Sequence, residues 1–302
     1  MDYDAIAAHF LTYSPAPSPR LPTSPARRLR DAVEAIATVG WWSRSAAESA
    51  NELGHDFFDA YVWGRAASLG TDVAASVVVS AFGVFEPQLL TASYETGRSV
   101  SSRDAVLAAR ATGASAGLAS ATAGVDVHVV KEFSSRLFTA MESLDVAARP
   151  LFGALRALAT PFDPHGRAWR AAELVREHRG DGHLAACIAA GLDPVQMNVM
   201  TEVWLEYPVG EYSATRGFSK ERIAVAVSEL QARGWMAADS TLTEAGRAAR
   251  EAIEEATDES QRCLVEACGD DIETIITLGT TISDAVIIAH AAPADPRKRA
   301  AG

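Results

Sequence analysis

The sequence lacks the features that would send the protein to a membrane or along a secretion route. No run of apolar residues approaches the roughly 18 that a membrane-spanning helix needs. No basic region followed by an apolar block marks a signal peptide. The three cysteines include no C-x-x-C pair and leave one residue over in any pairing. We therefore expect a cytoplasmic chain with reduced thiols and no membrane partner.

The motifs of cofactor and nucleotide chemistry are missing as well. The sequence has no G-x-G-x-x-G after a predicted strand, no G-x-x-x-x-G-K-[ST] and no G-x-S-x-G. It has no H-E-x-x-H spacing and no cysteine at ligand spacing. The sequence therefore predicts no metal and no cofactor. Any catalysis would be proton transfer, dehydration, addition or cyclisation without a cofactor.

Positive charge is scarce. Lys and Arg total 27 against 39 Asp and Glu, which gives a formal net charge of −12 at pH 7. Affinity for DNA depends largely on Lys and Arg meeting phosphates, so this balance opposes DNA binding unless one face is locally basic. Aromatic residues make up only 7% of the chain while apolar residues make up 48%, with alanine abundant. This composition is typical of a folded soluble protein dominated by helices.

The chain divides into segments at proline-rich and glycine-rich breaks. Residues 12–25 are rich in proline and serine and predict a flexible arm, after which Ser24 is a candidate helix cap. Four segments are predicted: a flexible arm at 1–25, an N-terminal helical half at 26–146, a C-terminal half at 147–260, and a C-terminal helix with a disordered basic tail at 261–302.

Weak internal matches suggest that the two halves arose by duplication. The segment "ALRALAT" (154–160) resembles "AVEAIAT" (32–38), and "SKER" (219–222) answers "SRDA" (102–105) at a similar offset. In the second pair each segment begins with a serine that can cap a helix. The sequence therefore predicts two related halves.

The clearest fold signal lies at 193–257. The pattern there predicts a helix, a short helix, a third helix, a small hairpin and a fourth helix. Ser219 is the expected cap of the third helix and Gly234 its stop signal. The segment "WMAADSTLT" (235–243) predicts a strand, a turn and a strand, and Thr243 begins the last helix. This order is typical of a winged helix, an elaboration of the helix-turn-helix.

Two resemblances extend this prediction. The segment "SELQARGWMAADSTLTEAGRAAREAIEEA" resembles the winged helix of MarR-type regulators. With "YVWGRAASLG", "FGVFEP" and "REHRGDGHLAACIAAGLD", the chain resembles the actinobacterial helix-turn-helix family known as SCO6745-like over roughly residues 26–260. The resemblances imply a mainly α fold of two degenerate winged-helix halves packed together, with one short β-hairpin wing in the C-terminal half. They also imply a homodimer formed through terminal helices.

The predicted recognition helix offers few cations to DNA. Lys220 and Arg222 stand near its N-terminus, where base contacts belong. The wing tip at 237–240 has no cation, and 218–257 holds five cations against seven acids. DNA binding through Lys220 and Arg222 is therefore only the alternative prediction.

The segment "REHRGDGH" (176–183) concentrates charge and two histidines. Its basic residues are predicted to end a helix, with Gly180 just beyond the end and Asp181 as cap of the next helix. The alternative is that His178 or His183 lines a cavity between the halves and handles protons or a polar ligand.

A better candidate site begins at His55. In an aromatic pocket, His55 would act as acid and base at the mouth, Tyr61 as hydrogen-bond donor, and Arg65 as partner of an anionic or enolate oxygen. The resemblance implies that the arginine is shared within the family and that His55 departs from its pattern. The alternative is a core stripe in which Arg65 is buried against Glu86 or Asp72. The residues predicted to bind the ligand are Phe58, Trp63, Phe82, Phe85, Glu86, His178 and His183.

These observations lead to two predicted functions, with a catalytically silent binding protein as the plainer alternative to the first. The first is a winged-helix-derived protein that binds a small organic molecule and acts on it as a cofactor-free enzyme of specialised metabolism, of the lyase or cyclase type. The second is a ligand-responsive transcription regulator of the MarR type.

Overall fold

The chain is mainly helical. The structure, a computed structural model, describes residues 3–11 and 21–300, and these residues form seventeen α-helices and no β-strand. In chain order the helices are α1 (Tyr3–Phe10), α2 (Pro25–Trp42), α3 (Arg44–Glu52), α4 (Phe57–Ala66), α5 (Ala75–Phe82), α6 (Pro87–Val100), α7 (Arg103–Ala121), α8 (Val127–Met141), α9 (Pro150–Arg156), α10 (Pro164–Ala189), α11 (Pro194–Trp204), α12 (Glu211–Ala214), α13 (Lys220–Ala232), α14 (Glu244–Glu259), α15 (Arg262–Cys268), α16 (Ile272–Ile288) and α17 (Pro296–Ala300).

Short polar side chains begin most of these helices. The hydroxyl of Ser219 accepts a hydrogen bond from the Arg222 amide at 3.2 Å, and that of Thr243 accepts one from the Gly246 amide at 3.0 Å. Each cap satisfies an amide that has no partner within the helix. The caps predicted at Ser24, Ser219 and Thr243 are confirmed.

Apolar side chains gather in three clusters. The largest surrounds α2, whose Val33 and Ile36 are fully buried, and includes α7, α8, α10 and α16. A second joins the end of α10 to α11, α13 and α14, and a third joins α4, α5 and α6. The longest helix, α10, therefore connects the N-terminal and C-terminal parts of the chain.

The predicted β-hairpin wing is reduced to a turn. A single antiparallel bridge joins Met236 and Leu242, and the Ala237 amide donates to the Thr241 carbonyl at 2.9 Å. Ser240 adopts a positive φ of 65° at the tip. Because α14 begins at Glu244, too few residues remain on either side of the tip to extend the pairing.

The predicted break between Arg179 and Asp181 is wrong, because α10 continues through both residues to Ala189. Asp181 does cap a helix, but that helix is α9: its Oδ2 accepts from the Phe152 amide at 3.0 Å. Gly182 faces Ser260 at the end of α14, where a Cβ would not fit. Tertiary contacts thus stabilise a helix that two glycines weaken locally.

Both described ends of the chain are more regular than predicted. The arm expected at 1–25 includes α1, where Asp4 pairs with Arg44 at 2.7 Å; residues 12–20 lie outside the described residues. The tail expected to be disordered includes α17, where Arg297 pairs with Asp295 at 3.1 Å.

The apolar face of α16 packs onto α2 and α8 of the same chain, burying Ile275, Ile282 and Val286. This contact accounts for the apolar sequence of the helix without a partner subunit, so the homodimer stays a prediction. Within the described residues, no helix combines the length and apolar character needed to cross a membrane.

The duplication receives uneven support. Ser102 and Ser219 begin α7 and α13 as the second match predicts. The first match joins different local structures, since 32–38 lies inside α2 whereas 154–160 runs past the end of α9.

Candidate functional site

A cavity of about 120 Å³ lies where α4 and α5 meet α10, α11 and α14. Tyr61, Phe82 and Phe85 form an aromatic wall. Six arginines and three carboxylates also contribute to the lining: Arg30, Arg65, Arg176, Arg179, Arg216 and Arg250, with Glu177, Asp181 and Glu254. Cations outnumber carboxylates here, although the whole chain has a formal net charge of −12. Asp31, Glu34 and Asp258, which lie outside the lining, also pair with these arginines. Among the described residues, Arg216 is therefore the one arginine of the lining that has no carboxylate partner.

Glu177 of α10 is the partner of Arg65 on α4. Nη2 of Arg65 donates to both carboxylate oxygens at 2.9 and 2.8 Å, and Arg176 donates to one of them at 2.8 Å. Burial alone would raise the pKa of Glu177, but the two guanidinium groups hold it below its ordinary value. The same pairing raises the pKa of Arg65 in spite of its burial. Glu86 and Asp72, the predicted partners of Arg65, do not pair with it.

Arg65 also orders the aromatic wall. Its Nη1 donates to Tyr61 Oη at 2.7 Å, one helical turn earlier on α4. Its guanidinium carbon lies 4.5 Å from the centre of the Phe82 ring, a cation–π distance. The hydroxyl of Tyr61 therefore accepts from Arg65 and keeps its own proton to donate.

Arg216 is held beside the cavity by the turn after α12. Oε1 of the buried Glu202 accepts from the amides of Tyr212 and Ser213 at 2.7 and 2.9 Å, which fixes α12. The Arg216 carbonyl accepts from the Glu86 amide at 2.9 Å, so this turn is tied to the N-terminal half.

The guanidinium of Arg216 has no carboxylate partner among the described residues. It donates to Tyr212 Oη at 2.7 Å and to Thr215 Oγ1 at 3.2 Å, and its buried Nε has no hydrogen-bond partner. The guanidinium carbon lies 4.3 Å from the centre of the Tyr212 ring and 5.0 Å from that of Phe85. Arg216 thus supplies positive charge that the protein itself does not neutralise.

Three arginines share Glu254 on the opposite wall. Arg250 donates to it at 2.6 Å, Arg179 at 2.9 Å and Arg27 at 3.4 Å. Burial would raise the pKa of Glu254, but Arg250 and Arg179 hold it well below its ordinary value. Arg27 also pairs with Asp31 and Arg179 also pairs with Asp258, so three carboxylates neutralise the three arginines of this wall.

Asp181 differs from the other carboxylates of the cavity because no arginine pairs with it among the described residues. Only 5% of the residue is exposed, and Oδ1 is buried without a hydrogen-bond partner. Burial raises the pKa of Asp181 to about 6, and the Phe152 amide on its other oxygen offsets only part of that rise.

The two histidines of the central stretch are neutral at pH 7. His183 lines the cavity and bonds through Nδ1 to Thr257 Oγ1 at 2.9 Å, and burial lowers its pKa to about 3. His178 lies outside the lining, with Nδ1 2.7 Å from Gln261 Oε1 and its ring edge-on to Phe152. Burial lowers the pKa of His178 to about 4.

The structure brings together only part of the predicted site. Tyr61, Arg65, Phe82, Phe85 and His183 line one cavity. Phe58 lies behind this wall, its ring centre 5.7 Å from that of Phe85.

The other predicted residues are placed elsewhere. His55 Nε2 lies 2.7 Å from Ser101 Oγ, and Trp63 Nε1 donates to the Ser101 carbonyl at 3.1 Å. Neither residue lines the cavity, so His55 does not stand at its mouth. Glu86 caps α6 by accepting from the Leu89 amide at 2.7 Å.

Sequence reasoning missed most of the cationic lining. The sequence predicts that Arg176 and Arg179 end one helix and that Asp181 caps the next, so it gives these three residues structural roles and not positions in a cavity. One signal was available: Arg170, Glu173 and Glu177 follow one another at intervals of three and four residues, which places them on one face if the helix is continuous.

The start of α13 is exposed but partly neutralised. Arg222 pairs with Asp193 at 3.4 Å, and Arg233 donates to the backbone carbonyls at the end of α10. Lys220 and Arg247 are exposed to solvent. In the described part of the chain, no group of three or more His, Cys, Asp and Glu side chains is arranged to hold a metal ion.

The sequence model of a helix-turn-helix family matches residues 26–293, which is most of the chain. No curated protein and no solved structure matches the chain at a significant level.

Proposed function

The chain belongs to the helix-turn-helix family, and from this premise we propose that it is a member that binds a small organic anion in the arginine-lined cavity. The observation that carries the proposal is Arg216, which lines the cavity and has no carboxylate partner among the described residues, whereas the other five arginines of the lining have one. Arg216 is partly buried and its Nε has no hydrogen-bond partner, so an anionic occupant would stabilise this arrangement.

The chemistry of the walls narrows the ligand class. Arginine presents a planar fork of donors that matches a carboxylate or phosphate. Tyr61, Phe82 and Phe85 favour a flat apolar body next to that anion. A dry cavity of about 150 Å³ holds benzene, so a volume of about 120 Å³ limits the enclosed part of the ligand to no more than about one ring. An aromatic carboxylate fits these conditions.

Catalysis is the use of this site that the sequence predicts, as a cofactor-free lyase or cyclase of specialised metabolism. What supports it is the presence of two groups that can move protons in one cavity, the Tyr61 hydroxyl and the Asp181 carboxyl. General acids and bases work best with a pKa near the operating pH, and that of Asp181 is about 6.

A ligand-responsive regulator is the second candidate. Helix-turn-helix membership favours it, and so does the position of the cavity, which is lined in part by Met197 and Thr201 of α11 and Arg250 of α14. Because α11 packs directly against α13, an occupant of the cavity would act on the helix that could read DNA. A homodimer would present two such helices to successive half-sites.

The anion proposal is tested with benzoate and its neutral counterpart benzamide, by isothermal titration calorimetry. We expect benzoate to bind and benzamide to bind at least about tenfold more weakly, a difference of about 1.4 kcal/mol. Arg216→Gln should weaken benzoate binding, because it removes a cation that no carboxylate neutralises. It should not unfold the protein, whereas removal of Arg65 would leave Glu177 buried and unpaired.

The matched control is Arg222→Gln, which removes an exposed arginine outside the cavity. Equal affinities for benzoate and benzamide, or an equal loss in the two variants, would refute the proposed anion site. A failure of wild-type protein to bind benzoate at millimolar concentration would count against the ligand class.

A further inference from the structure

We propose that the anion bound in this cavity also carries a hydrogen-bond donor, a hydroxyl or ammonium group, and that Oδ1 of Asp181 accepts the hydrogen bond from it. The inference rests on the proposed function and narrows its ligand to a hydroxy acid or an amino acid. Asp181 would act as a recognition residue of the site, opposite in charge to the arginines.

The first support is that only one of the two carboxylate oxygens of Asp181 has a hydrogen-bond donor. Oδ2 accepts from the Phe152 amide at 3.0 Å and so caps α9. Oδ1 is buried and has no partner among the described residues, although the residue lines the cavity. A buried acceptor without a donor is disfavoured by about 1–3 kcal/mol, and such groups in native proteins call for an explanation. A donor on the ligand supplies it.

The second support is the contrast with the neighbouring carboxylates. Glu177 and Glu254 are each held by two or more arginines and have no need of a ligand. Arg149, which does not line the cavity, acts on Asp181 electrostatically, but its guanidinium donates to the backbone carbonyls of His178 and Ser260. The cavity therefore offers cations for an anion and one unused carboxylate oxygen for a donor.

The charges around Asp181 leave its carboxylate open to a donor at neutral pH. Arg149, from the segment before α9, lowers its pKa, while Glu177 on α10 raises it, and the Phe152 amide of α9 lowers it. The balance after burial lies near 6, so the group is mostly ionised at pH 7.5 and mostly protonated at about pH 5. His178 and His183, whose pKa values are about 4 and 3, stay neutral across this range.

The experiment compares ligands that carry a hydroxyl donor with ligands of similar shape that carry a methoxy acceptor. Calorimetry with 3- and 4-hydroxybenzoate, the two matching methoxybenzoates and benzoate measures the preference for hydroxyl over methoxy. We expect wild-type protein to prefer at least one hydroxybenzoate over its methoxy counterpart by about tenfold or more. Asp181→Asn keeps an oxygen for the Phe152 amide but places a donor amide in the site, so this preference should fall about tenfold. Benzoate should bind this variant at least as tightly as wild-type protein, because the substitution removes a negative charge from the cavity.

Asp239→Asn, an exposed substitution at the turn between α13 and α14, is the control and should keep the preference. If Asp181→Asn does not fold, the preference for hydroxybenzoate over methoxybenzoate is measured in wild-type protein at pH 7.5 and at about pH 5. Protonation of Asp181 at the lower pH should remove this preference. A preference absent in wild-type protein, or unchanged in Asp181→Asn and at the lower pH, overturns the inference while benzoate binding still upholds the anion site. If none of the five carboxylates binds, the proposed ligand class is rejected and the inference falls with it.

Discussion

At the scale of single residues, the buried groups divide by whether an opposite charge offsets their loss of water. Glu177 and Glu254 stay ionised because arginines surround them. Among the described residues no oppositely charged side chain pairs with His178, His183 or Asp181, and burial shifts the pKa of each so that its neutral form is favoured. Of these five groups, His178, His183 and Asp181 are the ones that contribute most to the pH dependence of stability between pH 5 and 7, whereas Glu177 and Glu254 contribute at lower pH.

His178 gives a prediction with a definite sign. Its pKa is about 4 in the folded protein and about 6.5 in an unfolded chain. Below pH 6.5 the unfolded state takes up the proton first, so stability is lost as the pH falls toward 4. His178→Asn keeps a side-chain donor for Gln261 but cannot be protonated. We expect the difference in unfolding free energy between pH 7 and pH 5 to shrink by about 2 kcal/mol.

Urea unfolding at the two pH values measures this effect, and the exposed His128→Asn is its control. His183 and Asp181 are unchanged in both variants, so their contributions cancel in the comparison. An unaltered pH dependence in His178→Asn, or an equal change in His128→Asn, would contradict the assignment of a neutral buried histidine.

The residues of the cavity were only partly within reach of sequence reasoning. Tyr61 and Arg65 are four residues apart on one helix, so their common face follows from helical periodicity. The pairing of Arg65 with Glu177 spans 112 residues and depends on how α4 packs against α10, which no local pattern encodes. The roles assigned to Tyr61 and Arg65 stay predictions.

At the scale of helices, α10 shows where local signals are overridden. Gly180 and Gly182 around an aspartate are typical of a helix end followed by a cap. Within α10, however, the side chain of Asp181 serves α9, and Arg179 is fixed by Glu254 on α14. These contacts outweigh the roughly 1 kcal/mol that each glycine loses relative to alanine. Helix starts at serine or threonine were predictable because their caps are local, and this end was not.

The two glycines of α10 should respond in opposite directions to alanine. A Cβ at Gly180 would have only ordinary contact, with Glu177 Oε2 at 3.7 Å, so Gly180→Ala should stabilise the protein by about 0.5–1 kcal/mol. A Cβ at Gly182 would lie 2.9 Å from Ser260 Cβ and still closer to its hydroxyl. Gly182→Ala should therefore destabilise it by about 1–3 kcal/mol.

Thermal and urea unfolding of the two variants test this difference. Adding Ser260→Gly to Gly182→Ala removes the opposing Cβ and should recover part of the loss. A broken helix at this point would instead make both alanine substitutions nearly neutral, which would contradict a continuous α10.

At the scale of the whole molecule, the cavity joins parts of the chain that are far apart in sequence. Its lining draws on α2, α4, α10, α14 and the residue Ala300 at the end of α17. A ligand there contacts elements from both halves, and ligand that binds only the folded state stabilises the whole fold by mass action. Binding of benzoate should therefore raise the unfolding midpoint of the entire molecule and not of one half.

The choice between an enzyme and a regulator also depends on the whole molecule, because DNA binding requires a positively charged face and not single residues. Lys220 and Arg247 are exposed near α13, whereas Arg222 is paired with Asp193 and Arg250 with Glu254. The logarithm of DNA affinity falls with that of salt in proportion to the phosphates contacted, by about 0.9 for each. Few contacts therefore mean weak binding at physiological salt together with a shallow dependence on salt.

We expect the protein to show no sequence-specific binding to its own upstream DNA at physiological salt, measured by fluorescence anisotropy at low and physiological salt. Lys220→Glu and Arg222→Glu should then change little, because neither residue would meet a phosphate. Asp193→Asn keeps the cap of α11, since asparagine caps helices as well as aspartate, but it releases Arg222.

Specific binding that persists at physiological salt, is lost in Lys220→Glu and strengthens in Asp193→Asn would contradict this expectation and identify α13 as a working recognition helix. A change in that binding on adding benzoate would make the cavity its sensor, whereas a protein that binds benzoate but not DNA uses the helix-turn-helix as the scaffold of a small-molecule site.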